Sequence, residues 1–448
     1  MARFSRLLVV VSLAVAGCSS SRAPSSNAGG VPATLPDAPA PLERRLTAIR
    51  MRLDALARDD WNFWKTHGPD REHGGFHGTL DRSGKPVAPT DKGLIQQSRH
   101  LFTTSLWYEK RERSSEVAAM SRDLYRFLTT HFYDPSTKLF HFKVGRNGAP
   151  VDTRKVLYAN AFAIYALVQY ERAYGVKEAG TTALACFRAL DALAHDAEYG
   201  GYYLANDPPW LTPGAAKETN THLHLMEAFS TLFTLTRDPV VKARLEELVA
   251  IFGTKIIQAE GFARKDFSRE WLPFGEALVS YGHDLETSWL LVEAAESLGR
   301  AGDEVIRKAA LSVGAASAEW GFDAERGGYF EEGPPRAPAL KREKIWWIQA
   351  EALPGLYELY VFTGDTKYLE RLEATLAFIE RFQVDREHGG WFWGIGEDGK
   401  VGPRGDGKGE EWKAAYHDLR ATVFTADWIA QRNVQKSHQL VGVSSPNE

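Results

Sequence analysis

The chain has 448 residues, 44% hydrophobic, 25% charged and 12% aromatic, with 39 Gly, 21 Pro and only 2 Cys. That composition can bury a large core, and it excludes collagen-like, disordered and disulfide-stapled proteins. A formal charge of −4 supplies no basic stripe for a phosphate backbone, so nucleic acid is excluded as a partner.

Arg3 and Arg6 precede an apolar run from Leu7 to Ala16, which ends in Gly17, Cys18 and three serines. The run is far shorter than the roughly 20 residues that span a bilayer, so residues 1–17 read as a cleaved export signal. The ending Val15-Ala16-Gly17-Cys18 resembles the bacterial lipobox and predicts lipidation of Cys18. The expectation is an exported, lipid-anchored protein whose folded part is periplasmic and meets the membrane only through that lipid. Residues 18–41, rich in Ser, Pro, Ala and Gly, cannot bury a core and read as a flexible tether. The folded domain is expected over 42–432, followed by a loose polar tail over 433–448. Cys186, in an apolar run with no second mature thiol to pair with, reads as a buried core residue.

An internal repeat organises the domain. Asp70-Arg71-Glu72-His73-Gly74-Gly75-Phe76 recurs with starts at Asp196, Asp323 and Asp385, each copy ending in Gly-Gly-aromatic. The starts differ by 126, 127 and 62 residues, or two, two and one copies of a unit of about 63. Degenerate copies fall in the gaps, at Tyr133-Asp134-Pro135 and Glu260-Gly261-Phe262. Within a unit, the Gly-aromatic turn precedes two stretches with helical spacing, such as Leu101, Ser105, Tyr108 and then Val117, Met120, Leu124, Leu128. Six helical hairpins make an all-α chain, and the near-identity of the first and last full copies, without polar capping repeats, predicts a closed (α/α)6 barrel.

The first helix of each hairpin carries polar side chains where a purely structural barrel would carry Leu, Val or Ala. Arg99, Tyr158, His224, His283, Trp347 and His417 follow one another at 59, 66, 59, 64 and 70 residues, so the repeat places them around one cavity. Burying such groups without partners costs several kcal/mol, which implies a polar funnel. Residues one turn away join the same faces: Gln96 with Arg99, Asn220 and Glu227 with His224, Glu286 with His283, Glu351 with Trp347, and Arg420 with His417. His222 and His224 are two apart, which points their rings to different sides of a helix, so no metal is expected. Trp346, Trp347 and Trp412, flanked by Lys344, Gln349, Glu351 and Lys413, suit a sugar-stacking platform.

The segments Asn220-Thr221-His222-Leu223-His224-Leu225-Met226-Glu227, Tyr281-Gly282-His283-Asp284-Leu285-Glu286, Trp346-Trp347-Ile348-Gln349-Ala350-Glu351 and Trp412-Lys413-Ala414-Ala415-Tyr416-His417 resemble the N-acylglucosamine 2-epimerase superfamily, within it the cellobiose 2-epimerase branch. The resemblance spans the whole folded part. It implies an (α/α)6 barrel that interconverts glucose and mannose at the reducing end of a β-1,4-linked disaccharide, without metal or cofactor, through a cis-enediol. Such chemistry needs a base near working pH on one face of C2 and an acid on the other, a natural task for histidine. The resemblance puts that pair at His283 and His417, with Glu286 orienting His283 and Arg99 and His224 stabilising the enediolate. It assigns Asn220, Tyr158, Trp347, Trp412 and Glu351 to holding the sugar. A small-molecule sugar is the expected partner, and the protein is expected to be a monomer or weak dimer.

Other readings stay open at this point: an aldose-ketose isomerase or mannose 2-epimerase of the same superfamily, a glycoside hydrolase using Asp284, Glu286 or Glu351, and a non-catalytic glycan-binding barrel. The branch usually continues Tyr-His-Asn, whereas this chain has Tyr416-His417-Asp418. A carboxylate beside His417 is expected to raise its pKa or alter a substrate hydrogen bond.

Overall fold

Leu46, Ile49, Leu53 and Leu56 recur at three- and four-residue intervals along α1 (Pro41–His67) and are nearly inaccessible, so this helix buries one stripe. In the computed structural model, residues 41–204 and 215–440 are described. The leader, Cys18 and the tether up to Ala40 lie outside them, as do residues 441–448 of the tail. Helical backbone continues past the Arg432 boundary to Leu440, because no Gly or Pro interrupts it before Gly442.

Five hairpins follow α1. They are α2 (Leu94–Lys110) with α3 (Ser115–Phe127), α4 (Leu157–Tyr174) with α5 (Lys177–Ala194), α6 (Thr219–Thr236) with α7 (Pro239–Ile251), α8 (Tyr281–Ser297) with α9 (Glu304–Trp320), and α10 (Trp346–Thr363) with α11 (Lys367–Phe378). α12 (His417–Leu440) ends the described chain. The even-numbered helices form an inner ring: α2 packs on α4, α4 on α6, α6 on α8, α8 on α10, α10 on α12, and α12 back on α2. The barrel is therefore closed, as the repeat predicted. The sixth hairpin is split between the ends of the domain, since the stripe of α1 shares an apolar cluster with Leu369 and Leu372 of α11 and Ala421 and Ile429 of α12. Arg45 and Arg52 of α1 bond Glu373 and Glu380 across that seam.

The two rings differ in burial as their surroundings dictate. In α4 every residue from Leu157 to Glu171 is buried, whereas α3 buries only Val117, Ser121, Leu124 and Phe127. Strand pairs of two or three residues at the entrances to the inner helices, such as Lys92–Gly93 on Lys143–Val144, were not foreseen, because such lengths carry no readable alternation.

The repeated turn is a latch. Gly74 and Gly75 have φ of +80° and +65°, and a Cβ on Gly75 would lie 2.8 Å from Gln97 Oε1. In the first three full copies the aromatic that follows is buried, and its amide donates to the fourth residue of the next inner helix. Phe76 N donates to Gln97 Oε1 at 2.9 Å, Tyr202 N to His222 Nε2 at 2.9 Å, and Tyr329 N to Gln349 Oε1 at 2.7 Å. In the degenerate copies Asn160 accepts from the Phe140 amide and Asp284 from the amide of Ala263, the residue after Phe262. The motif aspartates are each paired with a buried lysine, two residues before an inner helix for Asp70–Lys92, Asp196–Lys217 and Asp323–Lys344 and nine before α12 for Asp385–Lys408. Burial pushes Asp70 up, but hydrogen bonds from Arg146 and Lys92 outweigh it and hold the carboxyl well below its usual range.

Candidate active site

Each predicted residue sits near the N-terminal end of an inner helix. His417 opens α12, Trp347 is second in α10, His283 third in α8, Asn220 second and His224 sixth in α6, Tyr158 second in α4, and Arg99 sixth in α2. Six helix N-termini thus face one mouth, and their partial positive charge favours an anion there. A cavity of about 220 Å³ lies at this mouth, lined by Arg99, Tyr158, Asn220, His224, His283, Glu286, Trp347, Trp412 and His417. Trp346 and Trp393 complete the wall. Trp393 lies two residues past Trp391 of the fourth Gly-Gly-aromatic turn, a position that sequence reasoning passed over. Larger hollows, about 410 Å³ at the opposite mouth and about 640 Å³ against α3, do not gather the predicted histidines.

All three cavity histidines are held at Nδ1, which leaves Nε2 as the working nitrogen. His417 Nδ1 lies 2.7 Å from Glu351 Oε1, His224 Nδ1 2.8 Å from Glu227 Oε2, and His283 Nδ1 2.7 Å from Ser280 Oγ. Two predicted roles are corrected here. Glu351 is fully buried behind His417 and does not line the cavity, so it holds the histidine rather than the sugar. Glu286 does not orient His283, although Glu227 at the same i, i+3 spacing does reach His224. Glu286 is drawn instead to Arg420.

Arg420, wholly inaccessible, is the hub behind the site. Its Nη2 donates to Glu286 Oε1 at 2.6 Å and Glu351 Oε1 at 2.7 Å, and its Nη1 donates to Glu227. Tyr416 Oη and Trp289 Nε1 add bonds to Glu227 and Glu351 at 2.7 and 3.2 Å. One guanidinium therefore serves three buried carboxylates. Donor atoms of Glu286, Glu351 and His417 lie within 4.8 Å of one another, a grouping that could hold a metal ion. Arg420 already supplies the cationic partner of both carboxylates.

Burial sets the protonation pattern. It pushes Glu286 up to about 7, helped by repulsion from Glu351, and pushes Glu351 up to about 7 against the pull of Arg420. Glu227 stays below its usual value because Arg420 and His224 outweigh burial. His283 is lowered to about 3 by burial and then by His224. His417 is lowered by burial and then by Arg99 and Arg420. The His417–Glu351 pair is best treated as one titrating unit. With one added proton, Nε2–H is present whether the second proton sits on Nδ1 or on Glu351, so the pair can act as an acid.

Asp418 does not raise the pKa of His417 as the sequence suggested. It is buried toward Asp60 of α1; burial pushes both carboxyls up, Asp60 further through Asp418, whereas Lys413 and the hydrogen bond with Asp60 pull Asp418 back to about 6. Groups raised in the folded state lend stability below their unfolded pKa values, and that stability is lost as pH rises through the folded ones. Asp418→Asn is therefore expected to gain about 2–3 kcal/mol over the wild type at pH 8, about half of that at pH 5 and little at pH 3, read from denaturant unfolding at the three pH values.

The other residues singled out in the sequence are placed by their contacts. His222 is a brace, with Nδ1 on Glu218 O at 2.7 Å and Nε2 on the Tyr202 amide. The flanks of the tryptophans are structural: Lys344 and Gln349 serve the turn, and Lys413 donates to Trp391 O. Trp347 and Trp412 line the cavity nonetheless. Arg99 donates to Trp412 O at 2.6 Å and Tyr158 Oη at 3.0 Å, and its Nε and Asn220 Oδ1 have no protein partner.

The model of the N-acylglucosamine 2-epimerase (GlcNAc 2-epimerase) family matches residues 74–421. A cellobiose 2-epimerase of Bacteroides fragilis is 33% identical over 379 residues, covering 81% of this chain and 94% of its own. The structure of cellobiose 2-epimerase from Spirochaeta thermophila superposes with a TM-score of 0.81 at 34% identity, over 88% of this chain and 100% of that one. Human N-acylglucosamine 2-epimerase is 25% identical over 383 residues, covering 82% of this chain and 87% of its own. With its inner-ring histidines gathered at one mouth of a closed barrel, the chain belongs to the N-acylglucosamine 2-epimerase family and is a sugar epimerase, an isomerase.

Proposed function

We propose that the protein interconverts glucose and mannose at the reducing end of a β-1,4-linked disaccharide of the cellobiose or mannobiose type. The observation that carries this is the pair His283 and His417, on different helices on either side of Trp347, with ring centroids 4.6 and 5.8 Å from that indole. In the open-chain sugar the C1 carbonyl acidifies the C2 proton. Nε2 of one histidine takes that proton, and the C–H electron pair moves into an enediolate. Arg99, His224 and the helix N-termini stabilise the oxyanion. The second histidine returns a proton to the opposite face of C2, which inverts that centre. Trp347 and Trp412 offer indole faces to the sugar, and Asn220 offers Oδ1 to a hydroxyl. A hydrolase on this barrel needs two carboxylates at the substrate. Among the described lining residues Glu286 is the single one, and Asp284 is bonded to Ser317 and the Ala263 amide.

The test is proton NMR of the protein incubated separately with cellobiose, β-1,4-mannobiose, mannose and glucose. The expected product is the C2 epimer of a disaccharide. A ketose, or cleavage to monosaccharides, would overturn the proposal.

A further inference from the structure

Ser280 immediately precedes α8, in extended backbone with φ −90° and ψ 102°, where a serine hydroxyl ordinarily accepts from an amide of the first helical turn. It makes no such bond. Its Oγ instead lies 2.7 Å from Nδ1 of His283. His224 and His417 hold the same nitrogen against carboxylates. His283 alone of the three is held by an uncharged group.

We propose that Ser280 is a positioning residue for His283, fixing the ring through Nδ1 and keeping it neutral so that it meets the sugar as a base. This deepens the proposed function and rests on His283 being one of the two proton-transfer groups. A carboxylate at Nδ1 would favour imidazolium, whereas a hydroxyl adds no charge and can accept from Nδ1–H, which leaves the lone pair on Nε2. The surroundings act in the same sense. His224 and Lys265 face His283 and disfavour a positive charge there. Glu286 on the same helix is claimed by Arg420. Glu332, paired with Ser280 across the short strand bridge, is claimed by Lys265 and Lys341. His417 lies beyond Trp347 with its charge partner Glu351.

The proton ledger then closes. The C2–H bond breaks, its electron pair enters the enediolate, and the proton goes to Nε2 of His283. The resulting imidazolium still donates Nδ1–H to Ser280. The His417–Glu351 pair gives its Nε2 proton to the other face of C2, forming the new C–H bond. The protein ends with one proton gained at His283 and one lost at the pair, and exchange with solvent resets both.

The test uses the full chain and steady-state epimerisation of cellobiose across pH. Ser280→Ala is expected to lower kcat by about 10–100-fold with KM within about threefold. Ser280→Thr, which keeps the hydroxyl, is expected to restore most of that loss. Ser280→Asp is expected to raise the acid limb of the kcat/KM profile by about one pH unit or more. A Ser280→Ala enzyme with wild-type kcat and pH limbs, alongside an inactive His283→Asn enzyme, would overturn the proposal. A fully active His283→Asn enzyme would remove the reading of His283 itself, and the proposal with it.

Discussion

Arg420→Met is expected to destabilise the folded protein by about 3–5 kcal/mol, measured by urea unfolding at pH 7. The side chain is inaccessible and bonds Glu227, Glu286 and Glu351, which have at most 1% side-chain exposure. Methionine matches its volume roughly but leaves three carboxylates facing one another without the cation. Glu286 and Glu351 then rise further above their unfolded values, and Glu227 loses the cation that holds it below its own. The stability this lends is present below pH about 4 and is lost as pH rises through the folded values. The variant is therefore expected to recover toward wild-type stability as pH falls from 7 to 5. A loss that does not depend on pH would point to packing rather than charge. Activity is expected to fall further than stability, because Glu351 and Glu227 also hold His417 and His224.

His283→Asn and His417→Asn are each expected to lower kcat by about 10²–10⁴. Both side chains line the cavity, and in each Nδ1 is occupied, so the loss falls on Nε2 chemistry. The double variant is expected to be little worse than either single one, since inversion at C2 needs both faces served and effects of groups acting as a unit are not additive. Asparagine keeps a polar group at each site, so melting temperature separates a catalytic loss from an unfolded protein. Near-wild-type turnover in either folded variant would strike that histidine from the reaction.

The ring and its cavity were legible because they are periodic. The Gly-Gly-aromatic turns fixed the count of hairpins, and one polar residue per inner helix at nearly constant spacing marked the mouth. What could not be read depends on contacts across the ring. Arg420 meets Glu286 and Glu351 across 134 and 69 residues, and no local pattern marks an arginine as the partner of three acids. Glu286 was assigned to His283 on spacing that Glu227 and His224 do satisfy, and only the third dimension shows Arg420 claiming it. Asp418 was judged by its sequence neighbour His417, whereas a helix turns adjacent side chains about 100° apart and sends this one toward α1. Lys344 flanks the cavity tryptophans in sequence, but in three dimensions it is the partner of Asp323 in the repeated turn.

The central claim is that carbon 2 of the sugar exchanges its proton with the protein. The most direct measurement is proton NMR of cellobiose incubated with the protein in D2O. The account predicts loss of the H2 signal and growth of a reducing-end mannose unit carrying deuterium at C2, both abolished in His283→Asn and His417→Asn. An epimer that retains its original C2 proton, or substrate that binds and remains unlabelled, would contradict it.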